Sequence, residues 1–265
     1  MTTDAVELGA EVAVSAEAGG RLARWGDVAL LVAFALAGWQ ALYAAVGEVA
    51  ITSPLGTFAR VGELFEAAFF WRNAEATALA FAVSLAISSA AGVVAGLALG
   101  FHRFSGVVAE PILTALYTLP KVTLYPLVLL IFGLGISAKI AFGVMHGIIP
   151  VILFTMSAVR NIDPVHLKTA RVLGLSPRTT ALTILAPAVA PEIFTGLRVG
   201  FALTLLGVLI GEMFASQRGL GFMIINGINS HDVPTMTAVV LILVAVAVSA
   251  GSLLLALDRR LHRRA

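Results

Sequence analysis

Long uncharged apolar runs alternate with short charged segments along this chain, and the lengths of the runs predict its elements. About 20 consecutive apolar residues cross the hydrocarbon core of a bilayer as a helix. By that measure six spanning helices are expected, at residues 28–47, 76–101, 111–135, 140–159, 188–211 and 233–257. The third closes on the Gly133-Leu134-Gly135 turn, and the fifth is interrupted by Glu192 and Arg198. Residues 50–75 mix Arg60, Glu63, Glu66 and Arg72 with Phe58, Phe65, Phe69, Phe70 and Trp71. That mixture predicts a loop plus a helix lying at the membrane interface, where aromatic rings are favoured.

Residues 163–187 form a polar island between the fourth and fifth spans, and it carries the punctuation of a helix–turn–helix. Asp163 is an N-cap residue, and Pro164 suits the first helical position, where no backbone N–H is needed. Gly174 suits the left-handed residue that closes a helix. Ser176-Pro177 repeats the start signal, and Pro187 is expected to break the second helix. On the first of these helices, about three turns long, Val165, Thr169 and Val172 share one face while Lys168 and Arg171 share another. Such a helix is too polar to cross a bilayer.

Composition agrees with lipid as the main solvent: 59% of the 265 residues are hydrophobic, 12% are charged, and the mean hydropathy is +0.99. A soluble domain of this length does not hide so much apolar surface. The fold class expected is therefore an all-α membrane protein with six transmembrane helices. The absence of cysteine excludes disulfides and thiolate metal sites. Residues 1–20 carry Asp4, Glu7, Glu11 and Glu17 with no Lys or Arg, unlike a secretory signal peptide.

The basic residues set orientation instead of nucleic-acid binding. With both termini in the cytoplasm, eleven Lys and Arg lie inside: Arg21, Arg24, Arg103, Arg160, Lys168, Arg171, Arg178, Arg259, Arg260, Arg263 and Arg264. Four lie outside, Arg60, Arg72, Lys139 and Arg218, with Lys121 and Arg198 inside spans. This bias follows the positive-inside rule and puts the polar island in the cytoplasm. The expected division is a cytoplasmic tail at 1–27, a transmembrane domain at 28–258 and a basic cytoplasmic end at 259–265.

Few residues suggest chemistry. Ser84, Ser88, Gly92, Gly96 and Gly100 repeat every fourth position, a stripe of small residues that lets another helix approach closely and so marks a central span. Lys121 follows Pro120, with Pro126 close behind. Two readings stand for it: a pathway-lining charge for an anionic solute, or a lysine satisfied by a headgroup or a nearby carbonyl. Glu192, Arg198 and Glu212 read as structural pairs, with a gating role as the sharper alternative for Glu212. His146 reads as hydrogen-bonded within the bundle. No phosphate-binding loop, zinc-protease motif or nucleophile elbow is present. ATP, if it is used, binds another chain.

The island resembles the cytoplasmic loop of binding-protein-dependent ABC importer permeases. Lys168-Thr169-Ala170 stands at that family's Glu-Ala-Ala opening. Gly174 follows after three residues, Ile184 after nine more, then Leu185, Ala186 in place of Leu, and Pro187. Leu119-Pro120-Lys121, Pro126, Phe132-Gly133-Leu134-Gly135, Pro191, Thr195-Gly196-Leu197-Arg198, Glu212-Met213 and Gly219-Leu220-Gly221 resemble the nitrate/sulfonate/taurine branch.

The resemblance implies a type I importer permease fold in a bacterial inner membrane. It makes the loop a coupling helix, with Asp163, Lys168, Thr169, Ala170, Arg171, Gly174, Ile184 and Pro187 on the ATPase-coupling surface. Pro120, Lys121, Arg198 and Glu212 are the pathway or gate candidates. It also implies two ABC ATPase subunits that hold ATP and Mg, a second permease copy forming a homodimer, and an extracytoplasmic solute-binding protein. The chain itself would hold no cofactor or metal. The implied solute is a sulfonate, taurine or nitrate. The alternatives are a pyrimidine vitamin precursor, or an ion-coupled secondary transporter, for which paired broken spans are missing.

Overall fold

Small residues decide which helices meet. Among residues 26–262, which the computed structural model describes, three long helices form the centre: α3 (Ala68–Phe101), α6 (Ile136–Arg160) and α9 (Ala186–Ala215). The stripe on α3 lies against α6 in parallel: Ser84 faces Gly143, Gly92 faces Val151, Gly96 faces Thr155 and Gly100 faces Val159. A Cβ added at Gly92 would sit 2.7 Å from the Val151 side chain, so any larger residue would push the helices apart. α6 and α9 run antiparallel through a second set of small residues, with Gly147 against Thr204, Gly196 against Phe154 and Gly207 against Gly143. Such close backbone approach is what binds helices in lipid, where apolar burial gives no drive of its own. Ser88, Gly92, Gly96 and Gly100 are all buried, as the packing role requires.

Around this centre lie α1 (Gly26–Val46), α2 (Pro54–Glu66), α4 (Arg103–Thr118), α5 (Tyr125–Phe132), α10 (Leu220–Asn229) and α11 (Val233–His262). The segment between α6 and α9 holds α7 (Pro164–Val172) and the single turn α8 (Pro177–Thr180). It caps one end of the bundle, and α10 lies at the opposite end. No strand occurs among the described residues. Five helices are long and apolar enough to span a membrane, and a bent pair makes up to six.

Four expectations change in detail. The second span begins at Ala68, so Arg72 and Glu75 belong to it; the interface helix is the shorter α2, started by Pro54 and capped by the Ser53 hydroxyl, which accepts from Gly56 N–H at 3.1 Å. The third span is not one helix. α4 ends at extended Leu119, Pro120 offers no N–H, and the chain turns by 86° through Lys121–Leu124 into α5. Pro187 does not break the fifth span. A wide turn at Ala181–Leu185, where Ala186 N–H reaches back to Ala181 carbonyl, absorbs the missing donor, and helix runs on through Phe214. Finally, Lys139, expected outside the spans, lies in α6 and is 4% exposed. The acidic residues of 1–20 and Arg21, Arg24, Arg263 and Arg264 fall outside the described residues.

α2 closes the α10 end of the bundle. Leu64 and Phe70 pack with Met223, Ala238, Val239 and Ile242. Arg60 Nε and Nη2 donate to Thr235 Oγ1 at 3.0 and 2.8 Å, and Asp232 Oδ1 caps α11 by accepting from Thr235 N–H at 3.1 Å. α1 stands apart from this packing: none of its span is buried, and Trp39 Nε1 donates to Thr52 carbonyl at 3.0 Å.

Candidate functional site

From Asp163 to Ser176 the polar island folds as its punctuation predicts. Asp163 Oδ1 accepts from Val165 N–H at 2.8 Å and so caps α7. Gly174 takes the left-handed conformation at φ 62°, and Leu175 N–H returns to Ala170 carbonyl at 3.1 Å, closing the helix. The Ser176 hydroxyl accepts from Thr179 N–H at 3.2 Å and starts the next turn. Ala170 is the buried residue of α7, which packs against the wide turn holding Ile184. Lys168, Thr169 and Arg171 are exposed. Val165 and Val172, expected on a face separate from Lys168, are exposed with it; Val172 is 86% exposed. The loop thus offers cations and apolar side chains together, on a short helix fixed at both ends.

α7 is covalently joined to α6 and α9, the two helices packed most intimately along their length. α6 and α9 are held together along their length by close-packed backbones rather than by flexible side chains. Near the α7 end Arg160 Nη1 donates to Glu110 Oε2 at 2.6 Å, tying α6 to α4. Arg198 Nη1 lies 3.5 Å from Asp258 Oδ2, tying α9 to α11, and Thr195 Oγ1 donates to the same carboxylate at 3.4 Å. A cavity of about 300 Å³ opens beside the first pair, lined by Glu110, Thr114, Ser157, Asn161 and Glu192.

At the α10 end α9 meets a buried polar network. Glu212, on α9, is 0% exposed. Its carboxylate accepts from Thr77 Oγ1 at 2.8 Å and from Gly221 N–H at 2.9 Å, and Lys139 Nζ lies 3.5 Å away. Thr77 Oγ1 accepts from Leu220 N–H, and Asn73 Oδ1 accepts from Gly219 N–H, both at 2.8 Å. The effect is to pin the turn between α9 and α10, with the negative charge at the N-terminus of α10, where the helix dipole favours it. Gly219, at φ 125°, lies directly against the carboxylate, leaving no room for a Cβ. Beside the network a cavity of about 870 Å³ is lined by Arg72, Glu75, Lys139, Phe214, Gln217 and Arg218.

The four gate candidates fall at three places. Pro120 and Lys121 form the α4–α5 bend, where Lys121 Nζ donates to Tyr117 carbonyl at 3.0 Å; that carbonyl lost its helical donor when the chain turned. Lys121 is 8% exposed. Arg198 pairs toward the α7 end, and Glu212 sits under α10. Structural pairing accounts for Arg198 and Glu212, and His146 Nδ1 lies 2.9 Å from Phe142 carbonyl. Glu192 lines the smaller cavity. Sequence reasoning missed Thr77 and Lys139 as partners of Glu212, and Asn73 as the acceptor for Gly219 N–H. A signal for Thr77 and Asn73 was present: with Ala80 they continue the buried face of α3 upstream of Ser84 at three- and four-residue spacing. Among the described residues no group of His, Asp or Glu has the arrangement of a metal site.

Comparison with known proteins matches this architecture. The family model described as binding-protein-dependent transport system inner membrane component covers residues 88–264. A probable ABC transporter permease of Haemophilus influenzae is 30% identical over 197 residues, 74% of this chain and 79% of its own length. The nitrate import permease of Synechococcus elongatus is 26% identical over 234 residues, covering 84% and 82%. The taurine transport system permease of Escherichia coli is 28% identical over 199 residues, covering 74% and 72%. An amino acid ABC transporter crystallised with histidines shares the fold, with TM-score 0.55 and 19% identity over 72% of this chain and 94% of that one. The matched region holds α6, the capped loop, α9 and α11. The chain belongs to the binding-protein-dependent transport system inner membrane components, as a multi-pass permease subunit of an ABC importer resembling the nitrate, sulfonate and taurine branch.

Proposed function

We propose that this permease carries a small oxyanion, a sulfonate, taurine or nitrate, into the cytoplasm, and that α7 is the part that receives force from an ATP-hydrolysing subunit. One observation carries the reading. The chain's exposed, doubly capped polar helix joins the two helices whose backbones pack most closely, and those helices end on the pinned turn at Glu212. Motion at α7 is then converted into rocking of α6 and α9 and opening at the α10 end, the logic of alternating access.

In this reading the α7 end faces the cytoplasm with both termini, as the Lys and Arg distribution favours. Asp163, Lys168, Thr169, Ala170, Arg171 and Gly174 shape the docking helix, and Ile184 and Pro187 the wide turn beneath it. Two copies of the chain line one pathway, two ATPase subunits carry ATP and Mg, and an external binding protein supplies the solute and most of the specificity. Arg72 and Arg218 in the larger cavity, which Glu75 also lines, give the pathway cations suited to an anion.

The test is uptake into proteoliposomes holding the permease, its cognate ATPase and binding protein. Uptake is expected with ATP inside and the ATPase present, and none when the ATPase is omitted. Uptake driven by an ion gradient alone would sink the reading. A thermal-shift screen of the binding protein against sulfonates, nitrate and pyrimidine precursors identifies the solute, since a ligand raises apparent stability by mass action.

A further inference from the structure

The chain contains three lysines, and two of them are enclosed. Lys121 donates to a backbone carbonyl, and Lys139 joins the Glu212 network. Lys168 is exposed and makes no ion pair among the described residues. No acidic residue occurs between 164 and 191, whereas His166, Lys168, Arg171 and Arg178 do. The acid preceding them, Asp163, is engaged as the cap of α7.

The buried Ala170 fixes how α7 is rolled. At about 100° per residue, Lys168 and Val172 each fall about 160° from Ala170, on either side of the outward pole, and Val165 lies about 140° away beside Val172. At the outward pole an ammonium thus stands beside an apolar ridge of Val165 and Val172, which are 58% and 86% exposed. Arg171 lies about 60° round from Lys168. A helix that rests on an anionic bilayer keeps its cations off the apolar stripe it inserts. Here the cation sits next to the apolar ridge at the pole. That arrangement fits a protein cleft with apolar walls and an acidic floor.

We infer that the surface receiving α7 is a cleft on the ATP-hydrolysing subunit with a carboxylate at its floor, which pairs with Lys168 Nζ while Val165 and Val172 fill the walls. This rests on the coupling role proposed above, and it adds the chemistry of the partner. A desolvated ion pair in such a cleft sets partner choice: an ATPase with a basic group at that place is refused, because the like charges oppose each other.

The experiment uses the full permease with its cognate ATPase. A carbodiimide joins an amine directly to a carboxylate, and Lys168 is the exposed lysine, so a zero-length crosslink from Lys168 to an Asp or Glu of the ATPase is expected. Lys168→Glu is expected to weaken association with the ATPase at least roughly 30-fold. Lys168→Arg should retain it, and Lys168→Glu should be rescued when the crosslinked carboxylate is changed to Lys. Docking itself is read separately. The chain has no cysteine, so a benzophenone attached at Leu173→Cys reports whether α7 meets the ATPase at all. If that probe captures the ATPase while Lys168→Glu leaves association and uptake unchanged, the acidic cleft is refuted and the coupling role survives. If the probe never captures the ATPase, the coupling role falls too. If charge reversal alters only the dependence of uptake on anionic lipid, the bilayer is the partner and the inference is overturned.

Discussion

A carboxylate as deeply enclosed as Glu212 is tolerable because the Thr77 hydroxyl, the Gly221 N–H and the Lys139 ammonium surround it. Removing one partner leaves the other charge buried and unpaired. Glu212→Ala or Lys139→Ala should each destabilise the protein by about 3–5 kcal/mol, read as a lowered melting temperature in detergent, whereas Lys139→Met with Glu212→Leu should cost less than either single change. Asp232 gives a pH prediction at the same end. Burial raises its carboxyl, but hydrogen bonds from Thr235 and the nearby Arg60 outweigh that and hold it below its ordinary value. A depressed native value means the stabilisation is complete above the ordinary carboxylate range, near pH 4, and is lost as pH falls through the native value. Protection from hydrogen exchange in the first turn of α11, taken relative to the intrinsic rate at each pH, should fall on acidification, and Asp232→Asn should flatten that dependence.

Helices meet in this protein where side chains are absent. Gly96 has the Thr155 Cβ and the Ile152 carbonyl within 3.0 Å of where its own Cβ would stand, whereas Gly38 on α1 has nothing within 4 Å. Gly96→Val should therefore cost about 1–3 kcal/mol or more in thermal unfolding, and Gly38→Val should be close to neutral. The stripe on α3 was legible because its spacing is local, and it correctly marked that span as central. The wide turn at Ala181–Leu185 was not legible. A proline in a polar segment reads as a stop, yet here the preceding turn relaxes its hydrogen bonding and the helix continues. The bend at Lys121 was half visible: Pro120 and Pro126 marked a weak place, but the 86° turn depends on what the two halves pack against.

Across the whole molecule, α3, α6 and α9 are the unit on which the other helices are mounted. α1 contributes no buried residue to its span. Deleting residues 1–46 should lower the melting temperature less than Gly96→Val does, since stability follows buried contacts and not span count. Five to six spans, a capped polar loop and the family relationship were all approachable from the chain alone. The burial of Lys139 was not. Its charge counted as a loop cation, although the side chain is spent on a carboxylate 73 positions away.

The features settled by the chain alone are local in origin. Run length against bilayer thickness set the spans, Asp163, Gly174 and Ser176 set the ends of the loop helices, and every fourth small residue set the face of α3. Tertiary packing decided which polar groups satisfy one another inside those spans. Thr77 and Glu212 are 135 residues apart, and only packing α3 against α9 brings them within hydrogen-bonding distance. The same packing rolled α7 onto Ala170 and turned Lys168 outward. A helix fixes the spacing of its side chains, but only its neighbours fix which of them faces the water.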